Sequence, residues 1–246
     1  MQQLIRIGPR LSAAVVLVTT GSLVGCVAVD LRHDLDFERT VILDAGESGA
    51  GDLVIEIQVG DIEVHGTDGP TRVIAQLHEE SPGVGELEWV DGRLVLDTYD
   101  GEARIGDVRI EVGTVHGDLW LETGVGDVSA ERVDVRGSIQ ISVGAGDVSL
   151  VQLGGPIEVR VDSGVGDVRL RDLDAEQVTI EHGVGDLMLE GLSADRVHAG
   201  TGVGDIDLDY CYVDELEAAS GIGDVSIGSS TVGHRQLEVG LGSISD

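Results

Sequence analysis

Gly-Val-Gly-Asp-Val at residues 124–128 decides the fold, because the chain returns to it at a nearly fixed interval. It recurs as GAGDV at 144–148, GVGDV at 164–168, GVGDL at 183–187, GVGDI at 202–206 and GIGDV at 221–225. Weaker copies flank the series, RIGDV at 104–108 and GLGSI at 240–244. Successive offsets are twenty residues up to 164 and nineteen after it. A period near twenty is the mark of a solenoid, in which one repeat is one coil and buries its apolar side chains only against its neighbours.

Aligned on the motif aspartate, the repeats resolve into apolar columns. One position after the Asp stand Val108, Val128, Val148, Val168, Leu187, Ile206 and Val225. Three positions after it stand Ile110, Ala130, Leu150, Leu170, Leu189, Leu208 and Ile227, and six after it Val133, Leu153, Leu173, Leu192, Cys211 and Ser230. Another column precedes each motif: Leu121, Ile141, Val161, Ile180, Ala199, Ala218 and Leu237. Spacing by two within each segment is a strand signature. Short inward segments per coil predict an all-β parallel β-helix with coils of nineteen to twenty residues. The two motif glycines are expected to take positive φ at a turn.

The composition fits this reading. Hydrophobic residues make up 41% of the chain but aromatics only 2%, so the core is aliphatic. Stacked short coils need no large rings to fill them. The 46 acidic residues face 15 basic ones, all of them Arg, for a net charge of −31. Such a field repels phosphate backbones, which excludes nucleic acid as a partner, and it keeps the molecule soluble.

Four segments follow in chain order. Residues 1–25 read as a signal peptide: Arg6 and Arg10 precede an apolar run from Leu11 that is too short to span a bilayer. The run ends in Leu23-Val24-Gly25-Cys26, which resembles the bacterial lipobox. That resemblance implies cleavage before Cys26 and its lipidation, and more than one acyl chain gives stable anchoring. Residues 26–40 are the lipidated terminus and a polar tether. Residues 41–103 read as an irregular β cap with first coils, including a hairpin turn at Asp91-Gly92. An atypical terminal repeat is what the open end of a solenoid requires. Residues 104–246 are the regular solenoid.

The segment Gly60-Asp-Ile-Glu-Val-His-Gly-Thr-Asp-Gly-Pro70, followed by the repeated G-x-G-D-[VIL], resembles the bacterial putative-adhesin β-solenoid family of toast-rack type. The resemblance spans roughly residues 40–246 and implies an extracytoplasmic module, often carried on lipoproteins. It supplies no catalytic residues.

The sharpest candidate for chemistry is the column Asp107, Asp127, Asp147, Asp167, Asp186, Asp205 and Asp224, with Asp61 as an outlying copy. Stacked carboxylates repel one another unless they accept N–H bonds, are solvated or share cations. Calcium wants six to eight oxygens, some from glycine-turn carbonyls, so a calcium ladder is one reading. The other is that each Asp bonds its own turn. Cys211 falls on an inward column and reads as a small buried hydrophobe. Tyr210, Tyr212 and Trp120 then point outward and are candidate partner contacts. The seven histidines show no metal-ligand spacing. No nucleophile elbow, phosphate loop or zinc motif occurs.

These observations predict a non-enzymatic, lipid-anchored module of the bacterial cell envelope, without a required cofactor, that meets an envelope protein or glycan. A calcium-binding surface module is the first alternative and a polysaccharide-active enzyme the second. The chain stops almost at its last strand, and that open edge predicts weak end-to-end pairing of two copies.

Overall fold

The computed structural model describes residues 35–44, 49–98 and 101–245, with the backbone of three short strands, Ile5–Ile7, Leu17–Thr20 and Leu23–Cys26. The apolar residues 11–16 and the side chain of Cys26 lie outside the described residues. Every element described is a strand. Two long sheets, of twelve and ten strands, and a narrow three-stranded one form the walls of a β-solenoid.

One coil shows how the sequence makes the wall. Leu119–Val125 runs along the first face, a tight turn at Gly126 and Asp127 reverses the chain, and Val128–Glu131 runs along the second face. Arg132 takes a left-handed conformation at the next corner, with φ 55°, and Asp134–Val135 forms the narrow third face. The following coil lies directly over it in parallel register, Leu119 on Ile139 and Val128 on Val148. Side chains alternate in and out along each strand, so one face of each segment reaches the interior.

All four predicted apolar columns point inward. Val128, Leu150, Val168, Leu187, Ile206 and Cys211 are each at most 1% exposed, and only the last rung is looser, with Ser230 and Leu237 partly buried. A further inward column, Leu119, Ile139, Val159, Val178, Val197 and Leu216, completes the first face.

The change of period has a single location. In the longer coils the corner between Leu153 and Val159 holds one residue more than the corner between Leu173 and Val178. Losing that residue fuses the third face with the first, so that Asp174–Val184 is one strand of 11 residues where the coil before it had a break. Coils beyond this point are one residue shorter at that corner.

The amino-terminal third departs from the expected order. Leu53–Val59 and Ile62–Gly66 form a regular coil, not an outlying copy of the motif. That coil lies between the strand Ala103–Val112 and the coil of residues 119–131: Ile62 pairs with Val108 on one side and with Val128 on the other. The copies at 104 and 124, twenty residues apart in sequence, are therefore not neighbours in space. After Gly66 the chain leaves to build the cap, and returns along the outer side of the coil it left. A repeat interval records spacing along the chain and is blind to this exchange of order.

The cap closes that end with antiparallel strands. Phe37–Asp44 pairs with Arg72–Glu79, which pairs with Ala103–Val112, while the hairpin of Gly85–Val90 and Arg93–Thr98 extends the first face. Glu79, 1% exposed, is its buried anchor. It accepts bonds from Arg39 at 3.0 and 3.1 Å and from the amides of Gly83 and Gly85 at 3.1 Å. A buried carboxylate is tolerated only when paired and hydrogen-bonded in this way.

Candidate functional site

The motif aspartates form one continuous ladder along the rod. Asp61 Oδ1 accepts the backbone N–H of Asp127 at 2.8 Å, Asp127 that of Asp147 at 2.8 Å, and Asp147 that of Asp167 at 2.8 Å. The pattern continues through Asp167 to Asp186 at 3.1 Å, Asp186 to Asp205 at 2.9 Å and Asp205 to Asp224 at 2.7 Å. At the cap end, Asp107 Oδ1 accepts the amide of Asp61 at 3.0 Å, which makes Asp61 an internal rung. The expectation that each Asp bonds its own turn is corrected: each bonds the turn of the next coil. The turn amide points along the rod, toward the neighbouring carboxylate, because the strands on either side are stacked in that direction. At the far end Ser243 takes the place of the aspartate and donates both its N–H and its Oγ–H to Asp224.

The glycines of the motif divide their work. Only the second takes positive φ, for example Gly126 at 143° and Gly166 at 137°. The first is glycine for another reason: a Cβ on Gly124 would sit 2.6 Å from the carbonyl oxygen of Gln58 in the adjacent coil. Beneath these turns lies a buried polar column. Thr123 Oγ1 donates to the Gly60 carbonyl at 3.0 Å, Thr201 Oγ1 to Gly185 at 3.3 Å and Ser220 Oγ to Gly204 at 2.9 Å. The turn is thus tied from outside by a carboxylate and from inside by a hydroxyl.

This turn, repeated at coil spacing, is the feature by which known proteins can be compared. The model of the family described as Toastrack DUF4097 matches residues 108–243, more than half of the chain. The chain belongs to the Toastrack family. No curated protein matches it. Among solved structures, one described as a putative adhesin from Bacteroides fragilis is 21% identical with a TM-score of 0.57, and the alignment covers 84% of this chain and 96% of that one. A second protein so described, from Parabacteroides distasonis, is 14% identical with a TM-score of 0.51, covering 85% and 97%. At these identities the likeness is one of fold. The family match begins at Val108, so the Toastrack motif at 60–64 lies outside it although the fold uses that segment as a rung.

The remaining sequence candidates of this Toastrack chain fall in separate places. Tyr210 and Tyr212 are exposed, 59% and 67%, the first in the left-handed corner position with φ 54°. Trp120 is on the first face several coils away, in the column that continues through Gln140, Arg160, Thr179, His198 and Glu217. The three aromatics do not form one surface. Cys211 is fully buried, with its Sγ 3.3 Å from the Leu189 carbonyl, and burial pushes its thiol above the ordinary range. A low-pKa, accessible thiolate is what reactivity requires, and Cys211 is the opposite. Among the described residues, no group of three or more His, Cys, Asp or Glu side chains is placed to hold a metal ion. None of the described elements is a helix able to cross a membrane.

Two features were not foreseen from the sequence. One is His182, which occupies the inner polar column where its neighbours are Ser163 and Thr201. It is 7% exposed, and its ring nitrogens approach the backbone of Ser163, Val184 and Gly185 without forming a well-made hydrogen bond. Burial lowers its pKa, and those carbonyls with Asp167 only partly offset that. The other is a groove of about 540 Å³ that begins where the coils shorten, lined by the corners of successive coils from Gly155 to Gly233.

Proposed function

We propose that this Toastrack chain is a non-catalytic interaction module of the bacterial envelope, tethered to a membrane by a lipid on Cys26 and presenting a rigid acidic rod. The observation that carries the non-catalytic part is the use made of the repeat carboxylates. Each motif Asp from 61 to 224 spends Oδ1 on the amide of the next rung. General acid–base or nucleophilic work needs carboxylates converging on a cleft, with room for a substrate between them. Here they stand in single file on a ridge, and the coils from 124 to 240 differ in length by one residue, leaving no inserted loop to wall a cleft. The two fold relatives described as adhesins fit a surface role.

The lipid tether rests on Leu23-Val24-Gly25-Cys26 and on the charged and apolar stretches before it. Feeding cells expressing the full chain an alkynyl fatty acid, followed by click labelling and fractionation, tests it. Label on the wild-type chain in the membrane fraction, and its loss in Cys26→Ala, is the expected result. A wild-type chain without label would overturn the tether and leave the rod secreted or otherwise held.

A further inference from the structure

We infer that the groove along the corners from Gly155 to Gly233 is a docking site for an extended, cationic segment of a partner protein. This rests on the proposed role as an interaction module and names the surface and the partner's chemistry.

The floor of the groove is apolar. Ala194 and Val213 stack in register beneath Ala175, and Ile157, 52% exposed, lines the groove from the last twenty-residue coil. Tyr212 lies open along the same surface at 67% exposure. Ala194 and Val213 are already out of water, so the apolar surface left open here is that of Ile157 and Tyr212, and an exposed aromatic beside an aliphatic side chain is a usual element of an interaction site.

One rim carries the charge. Between Ala175 and Gln177 the strand pairing skips Glu176, and in the coils below it skips Asp195 and Asp214 in turn. The offset of nineteen is the same on both sides of the gap, so these three stack over one another at an exposed corner where the ladder is interrupted in every coil. With Asp174 they give the groove four carboxylates and no Arg or His. Some acidic side chains elsewhere on the rod have an Arg partner, as Asp162 and Glu181 do in Arg160 and Asp167 does in Arg169. Among the described residues no cation pairs with the groove's four. Uncompensated charge beside apolar surface selects an oppositely charged partner and repels an anionic one.

Shape sets the form of the segment. The groove runs along the rod, across corners one coil apart, so it extends for roughly 15–20 Å at about 4.8 Å per coil. It is open at the surface and too shallow for a folded domain. About five residues of extended chain, at about 3.3 Å each, would fill it, with small apolar side chains down and Arg or Lys toward the rim.

The test titrates the full chain into a fluorescently labelled octapeptide of alternating Arg and Ala at 0.15 M salt, reading anisotropy. Saturable binding is expected, with Asp195→Asn/Asp214→Asn weakening it at least tenfold. Glu190→Gln/Asp207→Asn, the same charge change on the second face, should weaken it less than twofold. Both doubles are exposed neutralisations, and matched melting curves establish that they fold. Equal weakening by the two would reduce the effect to the general acidic field and overturn the groove. So would an absence of binding, or groove-dependent binding of a neutral oligosaccharide in place of the peptide. None of these outcomes touches the lipid tether, which the labelling experiment reads separately.

Discussion

Asp147 Oδ1 lies 2.8 Å from the backbone nitrogen of Asp167, twenty residues later in the chain and one coil away in space. The bond makes the motif carboxylate a structural acceptor. Asp147→Ala leaves that amide to water at an exposed corner, so the expected loss is about 0.5–1.5 kcal/mol, the net worth of one such bond. Asp147→Asn keeps the acceptor and removes one of a row of like charges. It is expected to melt at or above the wild-type midpoint. If Asn were as damaging as Ala, charge and not hydrogen bonding would be holding the turn.

The same geometry bears on calcium. One oxygen of every motif aspartate from 61 to 224 is already engaged, and the next acceptor along the rod is the same group repeated. A calcium ion seeks six to eight oxygens converging on one point. Thermal midpoints in millimolar calcium and in EDTA, at matched ionic strength, are expected to coincide. A calcium-specific rise would show the free oxygens acting together as a cation ladder.

Acid should weaken the rod in two stages. Burial lowers the pKa of His182, and burial followed by Arg104 lowers that of His78, both from an ordinary value of 6.5. Below pH 6.5 the unfolded chain takes up protons that the folded chain refuses, so stability falls as pH drops toward the folded values. Glu79 acts later. Burial pushes its pKa up, but Arg39 and the amides of Gly85 and Gly83 outweigh that and hold it below 4.5. Its contribution is present above pH 4.5 and is lost as pH falls through the folded value. Asp207, raised from 3.8 by burial and by Asp205, Asp186 and Asp209, opposes the second stage. Melting curves from pH 8 to pH 4 should show a midpoint that begins to fall near pH 6.5. His182→Thr, matching Thr201 in the next rung, should flatten the first stage, and a midpoint indifferent to pH in that range would contradict the assignment.

The coil of residues 231–245 breaks an aliphatic column. Arg235 occupies the rung beneath Leu216, in a column that is aliphatic in every coil from Leu119 onward. Arg235 is exposed here, a second copy stacked on this coil would cover it, and a charged residue on an edge strand is a known way to blunt that edge. Arg235→Leu is expected to promote end-to-end association, visible as a concentration-dependent rise in sedimentation coefficient. If the wild-type chain already associates this way, as the bare edge suggests from sequence, the variant will change little and the guarding role of Arg235 will fall.

Cys211 supplies a local probe of opening. In the Cys26→Ser variant it is the remaining thiol of the chain's two. Buried and with its pKa raised, it should react with a disulfide reagent only as fast as the solenoid opens around it. Prompt labelling of the folded chain would show that the lower coils breathe independently of the cap.

What the sequence could and could not reveal follows from what a period records. The inward columns were legible because a side chain such as Val168 meets its counterparts Val148 and Leu187 at an interval equal to one coil. The place of Asp61 was not, since its neighbours Asp107 and Asp127 are separated from it by 46 and 66 residues, with the cap between. The direction of the Asp bonds was hidden for a similar reason: a turn pattern does not say whether its amide faces inward along the chain or across to the next rung. The groove arose from a single missing residue at one corner, visible in the sequence only as an offset of nineteen instead of twenty. His182 stood in a column whose other members are Thr, Ser and Val, a mixture too varied to read as buried.

The exchanged coil at 53–66 gives the rod a clasped end. Because that coil is clasped between residues 103–112 and 119–131, its neighbourhood cannot be lengthened by copying a repeat without breaking the stitch. From 144 onward each repeat pairs with the one before and the one after, so a duplication of nineteen residues slots in and adds about 4.8 Å. Reach away from the clasped end is therefore a heritable dial, set by the number of copies, while the clasp that starts the stack is inherited whole.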